Sequence, residues 1–247
     1  MIRFGFLSSA LIGGGLLALA TTARERVDGS GVPATEERDV RDITEVSFSG
    51  IGEMRIVQGA VPSLSVTADD NVLPILETKA NGHKLTVQTR SRTSISPKTK
   101  ITYTLTTPRL ETISVSGGGN VRTEKFIGEA LTVKLSGAGN ARLADANFKS
   151  LNVNVSGAGT AIASGSTEKL TLRISGAGDF EAAALKTADA DVQISGAGNA
   201  TVWATGALKA RASGAGGIKY KGAPQVDQRV SGAGHVRAMN GQSPEQF

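Results

Sequence analysis

From Ile43 onward, apolar and polar residues alternate in short runs. Glu45-Val-Ser-Phe48, Met54-Arg-Ile-Val57, Leu64-Ser-Val66, Lys84-Leu-Thr-Val-Gln88 and Lys100-Ile-Thr-Tyr-Thr-Leu105 are each bounded by Gly, Pro, Asn or Asp. Alternation with period two predicts strands with one buried face, and the bounding residues are those of tight turns. Only residues 72–79 have a partly helical pattern, and Pro74 interrupts it. The region reads as all-β.

Beyond residue 108 the alternation becomes periodic. Ser-Gly-X-Gly begins at Ser116, Ser136, Ser156, Ser175, Ser195, Ser213 and Ser231, at intervals of 20, 20, 19, 20, 18 and 18 residues. A fixed period in this range marks stacked supersecondary units. Aligned on the Ser, the preceding residues are Val115, Leu135, Val155, Ile174, Ile194, Ala212 and Val230. Two places earlier come Ile113, Val133, Val153, Leu172, Val192, Ala210 and Gln228, and between the two columns stand Ser114, Lys134, Asn154, Arg173, Gln193, Arg211 and Arg229. One strand therefore runs into each Ser-Gly-X-Gly, apolar residues inward. A second strand leaves it, with Ala141/Leu143, Phe180/Ala182, Ala200/Val202 and Ile218/Tyr220 inward. About 20 residues are too few for a four-stranded propeller blade. They suit one coil of a parallel β-helix, and seven coils at about 4.8 Å each make a rod of about 34 Å.

Each Ser-Gly-X-Gly is read as a corner between strands. A phosphate cradle needs the glycines to open a helix, whereas here a strand follows every time. Silk-like packing needs continuous Gly-Ala-Ser runs, and these are isolated. At a corner, glycine tolerates positive φ and lets coils approach closely, and the serines can bond along the rod. The corner set comprises the seven serines with Gly137, Gly139, Gly157, Gly159, Gly176, Gly178, Gly196 and Gly198. The next residues, Asn120, Asn140, Thr160, Asp179, Asn199, Gly217 and His235, suggest a stacked polar ladder. Gly-Ala-Gly-Asp179 is similar to a calcium-solenoid unit, but one acid in seven corners is too few.

Composition narrows the chemistry. There is no Cys, which excludes disulfides, thiolate metal sites and a Cys nucleophile. His83 and His235 have no partner at metal-ligand spacing, so neither a metal nor a cofactor is expected. The net charge of +5 comes from scattered Lys and Arg rather than a basic stripe with aromatics, so nucleic acid is not an expected partner. Lys134, Arg173, Arg211 and Arg229 do share one outward column, which could contact envelope glycans or other anionic surface polymers. Trp203, the one Trp, adjoins an inward Val202 and is a candidate contact residue. The competing enzymatic reading centres on Asp179 and Glu181. Two residues apart on one strand, their Cα atoms lie about 6.5–7 Å apart, within the range of inverting glycosidases. No aromatic platform or third acid accompanies them.

Residues 1–20 have a positive start, an apolar run and Ala18-Leu-Ala20, the pattern of a cleaved signal peptide. Export to the periplasm or cell surface is expected, with no transmembrane span after cleavage. Residues 21–41 read as a flexible linker, 42–240 as the β-helix and 241–247 as a tail. Within the β-helix, 42–108 form less regular first coils and 109–240 the regular repeats. The Ala-rich last coils, with Ala210, Ala212 and Ala238 inward, should be narrower and less stable.

Phe48-Ser-Gly-Ile-Gly52, Arg55-Ile-Val-Gln-Gly59, Leu73-Pro-Ile-Leu-Glu-Thr78, Asn81-Gly-His-Lys-Leu85, Thr106-Thr-Pro-Arg-Leu110 and the serial Ser-Gly-X-Gly corners carry a further indication. Together they resemble the family called putative auto-transporter adhesin, head GIN domain, over about residues 42–240. The resemblance implies a right-handed single-stranded β-helix in a bacterial envelope protein, with no catalytic residues to carry over. No translocation-barrel pattern is present, so self-export is not expected. The expected function is that of a non-enzymatic binding, adhesion or scaffold module with a long flat face. Open strand edges at the rod ends make end-to-end or other homo-oligomeric association possible.

Overall fold

The computed structural model describes residues 25–239. The signal segment expected at 1–20 and the tail at 241–247 lie outside the described residues. The remainder is an all-β, mostly parallel solenoid with coils of about 20 residues.

The expected linker contains two strands, β1 (Glu25–Asp28) and β2 (Pro33–Arg38). Their charged composition hid a role at a sheet edge, where outward charges are well tolerated. Next come β3 (Glu45–Phe48) and β4 (Glu53–Gln58), joined through Ser49-Gly-Ile-Gly52, a corner of the same type as the seven later ones. After β5 (Ser63–Asp69), the partly helical stretch proves to be a single 3₁₀ turn, Leu73–Ile75, with Pro74 in its first turn. Extended chain follows at once in β6 (Leu76–Asn81), β7 (Lys84–Thr89), β8 (Thr93–Ser96) and β9 (Thr102–Thr107).

The regular repeats supply β10 (Thr112–Val115), β11 (Asn120–Thr123) and β12 (Phe126–Leu135). The long strands β13 (Asn140–Val155), β14 (Thr160–Ile174) and β15 (Asp179–Ile194) bend through successive faces of the rod. The last coils are β16 (Ala200–Ala204), β17 (Ala207–Ala212), β18 (Gly217–Lys221), β19 (Gln225–Val230) and β20 (His235–Ala238).

Each regular coil has three faces. The first enters the Ser-Gly-X-Gly corner, and its register aligns Val115, Leu135, Val155, Ile174, Ile194, Ala212 and Val230. The second leaves the corner, aligning Val121, Ala141, Ala161, Phe180, Ala200 and Ile218, all buried. The third closes the triangle with large residues set against small ones. Phe126 faces Ala146 and Phe148 faces Gly128, which lets the two rings stack at 6.2 Å between centroids. A Cβ on Gly128 would lie 2.7 Å from the Phe148 ring. Register shifts between the second and third faces absorb the variation in coil length.

Spatial order departs from chain order at one end. β3 lies between β7 and β10, and β4 between β9 and β11. The coil formed by β7 and β9 is therefore outermost, although it follows β3 and β4 in sequence. The chain then crosses back at residues 108–111, where the Glu111 N–H donates to the Thr44 carbonyl at 2.8 Å and the Thr107 hydroxyl donates to the Ile43 carbonyl. Antiparallel strands finish this end: β6 on β7, β5 on β9, and β2 on β5. The 3₁₀ turn buries Leu73, Ile75 and Leu76 over the core. Arg38 on β2 donates to the Leu73 and Leu76 carbonyls, fastening the turn.

Candidate functional site

The corners explain why the surface has the shape it does. With small residues in Ser-Gly-X-Gly, each corner sits directly on the one below. A Cβ on Gly157 or Gly176 would overlap the backbone carbonyl of the preceding coil's corner, and so would one on Gly159 or Gly178. Most corner glycines do not have positive φ; Gly52 (+97°) and Gly232 (+94°), in the first and last corners along the chain, do. Close approach, rather than left-handed backbone, is what excludes side chains in the interior coils. The serines also differ from a hydroxyl-to-hydroxyl ladder. Ser156 and Ser213 place their hydroxyls 3.4 Å from the carbonyls of Leu135 and Ile194 in the coil below. All seven serines are exposed.

The polar ladder after each corner is built from side-chain oxygens. Asn140 Nδ2 donates to Asn120 Oδ1 at 2.9 Å, and the Thr160 N–H donates to Asn140 Oδ1 at 3.0 Å. Asp179 Oδ1 accepts both the Asn199 N–H (2.8 Å) and Asn199 Nδ2 (3.1 Å), and Asn199 Oδ1 accepts the Gly217 N–H (3.1 Å). Asp179 is thus a rung of this ladder. Glu181 lines a separate depression of about 230 Å³ with Arg142 and Ser164, so the two carboxylates do not converge on one cavity. His235 ends the column with its ring over Gly217, while His83 donates from Nδ1 to the Asp42 carbonyl of another loop, 2.8 Å away. Among the described residues, no group of three or more His, Asp or Glu side chains is placed to hold a metal ion.

A groove of about 670 Å³ follows the serine corner along β13, β14, β15, β17 and β19. Arg173, Gln193, Arg211 and Arg229 line it together with Ser175, Ser195, Ser213 and Ser231. A second pocket of about 350 Å³, with Lys134, Ser136 and Ser156, continues the same line. Lys134, Arg173, Arg211 and Arg229 stand in one register column together with Asn154 and Gln193. All four basic residues singled out by the alternation pattern therefore reach one corner. Arg211 is 3.3 Å from Asp191; Lys134, Arg173 and Arg229 make no ion pair among the described residues. The repeat pattern marks the serines only as corners; their place beside the basic column is visible only once the corner is formed.

Charge elsewhere is more self-contained. Glu53 contacts Lys100 and lies 2.7 Å from Arg122, and Arg55 lies 2.7 Å from Glu124. The hydrogen bond from Lys100 holds the Glu53 carboxyl below its ordinary range, against a raising effect of burial and with help from Arg122 and Arg55. The hydrogen bond from Arg55 lowers Glu124 in the same way. Trp203 is half-buried, with Lys221 Nζ 4.2 Å from its ring centroid. This cluster is separate from the serine groove.

The fold and groove define a β-solenoid of the kind that presents a long repetitive surface. The chain belongs to the family described as Putative auto-transporter adhesin, head GIN domain, whose model matches residues 42–224. A crystal structure of a putative adhesin from Bacteroides fragilis is similar, with a TM-score of 0.82 and 24% identity over 86% of this chain and 100% of that one. A putative lipid binding protein from Parabacteroides distasonis has a TM-score of 0.73 and 23% identity, over 87% of this chain and 100% of that one. A putative adhesin from Parabacteroides merdae, at 0.67 and 22% with the same coverage, shares the fold. No curated protein matches the chain. No helix among the described residues is long and apolar enough to cross a membrane.

Proposed function

We propose that this chain is an exported, non-enzymatic binding module of the bacterial envelope, and that it holds an anionic, hydroxyl-rich polymer along the serine corner. The observation that carries the reading is the shared register of Lys134, Arg173, Arg211 and Arg229 beside the exposed corner serines, along a groove and the pocket that continues it. Arginine presents a planar fork suited to carboxylate, sulfate or phosphate, and a serine hydroxyl both donates and accepts. Arg173 and Arg211 are two coils apart, about 10 Å. A flexible polymer with repeated acidic groups can meet that spacing without a deep pocket. Acidic envelope glycans fit this chemistry best. Family membership and the adhesin description of its relatives support a binding role. Asp179's place in the polar ladder weighs against hydrolysis or elimination there.

The test is a binding screen of acidic and neutral polysaccharides, with anionic lipid vesicles as a separate arm and turnover followed on every ligand. Acidic polysaccharides should bind without cleavage, and affinity should fall as salt rises. Lys134→Gln combined with Arg173→Gln should weaken binding about tenfold and flatten the salt dependence. Equal binding of neutral and acidic polymers would reject the charge-based reading. Turnover abolished by Asp179→Ala with Glu181→Ala would replace it with the enzymatic one.

A further inference from the structure

We infer that the chain forms a closed, two-fold dimer through β19, tail to tail. β19 pairs with β17 on one side, and no other described strand pairs with it. The N–H groups of Gln225 and Ser231 donate to Gly206 and Ala212, so the odd-numbered residues of this strand direct their backbone groups toward β17. By strand alternation the N–H and C=O groups of Val226, Gln228 and Val230 point off the end of the rod, ready for another strand.

The sequence Gln225-Val-Asp-Gln-Arg-Val-Ser231 is complementary to itself when paired antiparallel about Gln228. In that register Val226 faces the partner's Val230, Asp227 faces the partner's Arg229, and Gln228 faces its own copy. Val226, Gln228 and Val230 continue the inward columns of Leu208, Ala210 and Ala212. Val226 and Val230 are 37% and 45% exposed, whereas their neighbours in β17 are fully buried. Their backbone groups are those directed outward, so these pairs exchange hydrogen bonds. Asp227 and Arg229 then fall at the non-hydrogen-bonded positions, where opposed side chains lie closest. Backbone direction, apolar pairing and charge pairing thus agree on one register.

The opposite end does not offer a matching surface. There the outermost strands are β2, with Pro33, Glu36, Glu37 and Arg38, and β6, with Glu77 and Lys79. The buried 3₁₀ turn covers the core between them. Head-to-tail growth into a filament therefore lacks a complementary edge, and a two-fold contact closes on itself. Arg229 belongs both to this edge and to the basic column, so the two readings are told apart by the polymer test residues Lys134 and Arg173, which lie on β12 and β14, away from the edge.

The experiment is sedimentation equilibrium of the chain as purified from its host cell, compared with three substitution variants and a chain lacking residues 240–247. A mass twice that of the chain is expected. Arg229→Asp and Asp227→Arg should each weaken the dimer about tenfold by opposing like charges, and the combined swap should restore it. Unchanged melting of the variants verifies folding. A monomer throughout overturns the proposal, as does a dimer indifferent to both single reversals or one not restored by the swap. Assemblies that grow beyond the dimer overturn its closed symmetry. A monomer that dimerises only after removal of residues 240–247 would assign this edge to the chain's own C-terminal segment.

Discussion

The two ends of the solenoid solve the same problem differently. At one end, antiparallel strands and a 3₁₀ turn close over the last parallel coil, burying Leu73, Leu76, Phe48 and Tyr103. Asp69 secures that closure. Its carboxylate accepts hydrogen bonds from the Gly31 and Lys98 N–H groups (both 2.9 Å) and the Thr99 hydroxyl (2.8 Å), tying three segments together. At the other end, β19 is exposed along its whole length and Ala210 and Ala212 form the layer beneath it. Stacking protects a coil only when it has a neighbour on both sides, so sequence alternation alone does not bury the final layer. The closed end is built for independent stability, and the open end is left able to pair.

Removing an apolar side chain at each end should expose the largest contrast. Leu76→Ala should destabilise by about 2–5 kcal/mol, because Leu76 is buried in the plug and a cavity would remain. Val226→Ala should change the chain's own stability by less than about 1 kcal/mol under conditions where it is monomeric. Denaturant melts at low protein concentration check both; similar losses would contradict the asymmetry.

A corner substitution extends the contrast along the rod. Gly157→Val should cost about 3 kcal/mol, because the new side chain meets the Gly137 carbonyl with another coil stacked above. At Gly234 a Cβ would lie 2.6 Å from the Gly216 carbonyl, but the last coil can lift away. Gly234→Val should therefore cost about 1 kcal/mol or less. Thermal melts of the two variants measure the difference.

Much of this architecture was legible in the residues, because a repeated corner and two alternating strands per repeat leave few alternatives to a solenoid. The basic column was legible for the same reason: Lys134, Arg173, Arg211 and Arg229 occupy equivalent repeat positions. The closed end was not. Residues 25–38 have the charge and Gly/Pro content of a linker, and their strands exist only through long-range pairing with β8 and β5. Nothing local tells that the coil of β7 and β9 stacks outside the earlier β3 and β4. Glycine at the corners was anticipated, but its main physical reason is the carbonyl of the neighbouring coil, which becomes visible only when the register is known. The groove likewise depends on how side chains from five coils meet.

Acid should loosen the closed end first. Burial pushes the Asp69 carboxyl up, but hydrogen bonds from Thr99, Lys98 and Gly31 outweigh it and hold the group below its ordinary value. A depressed folded-state value means that this stabilisation is complete above the unfolded carboxyl value, about pH 4, and is lost as pH falls through the folded one. Hydrogen exchange at Lys98 and Thr99 should rise in that lower window. Asp69→Asn should show the faster exchange already at neutral pH.

The smallest expected contrast concerns ion pairs. Glu53 meets Lys100 and Arg122 with its side chain 18% exposed, while Asp191 meets Arg211 with 34% exposed and 40% on the arginine. Three cations around Glu53 share one carboxylate, so ordering it restricts no more than one acidic side chain. Glu53→Gln should cost about 1 kcal/mol at low salt, and Asp191→Asn within about 0.3 kcal/mol. Because the Lys100 hydrogen bond lowers the Glu53 carboxyl, the wild-type advantage should be complete above about pH 4.3 and fade as pH falls through the folded value. Added salt should also shrink it, since the cluster is only partly shielded from solvent. A loss for Asp191→Asn equal to that for Glu53→Gln would mean that electrostatic support is shared evenly along the rod, leaving apolar closure as the only difference between its ends.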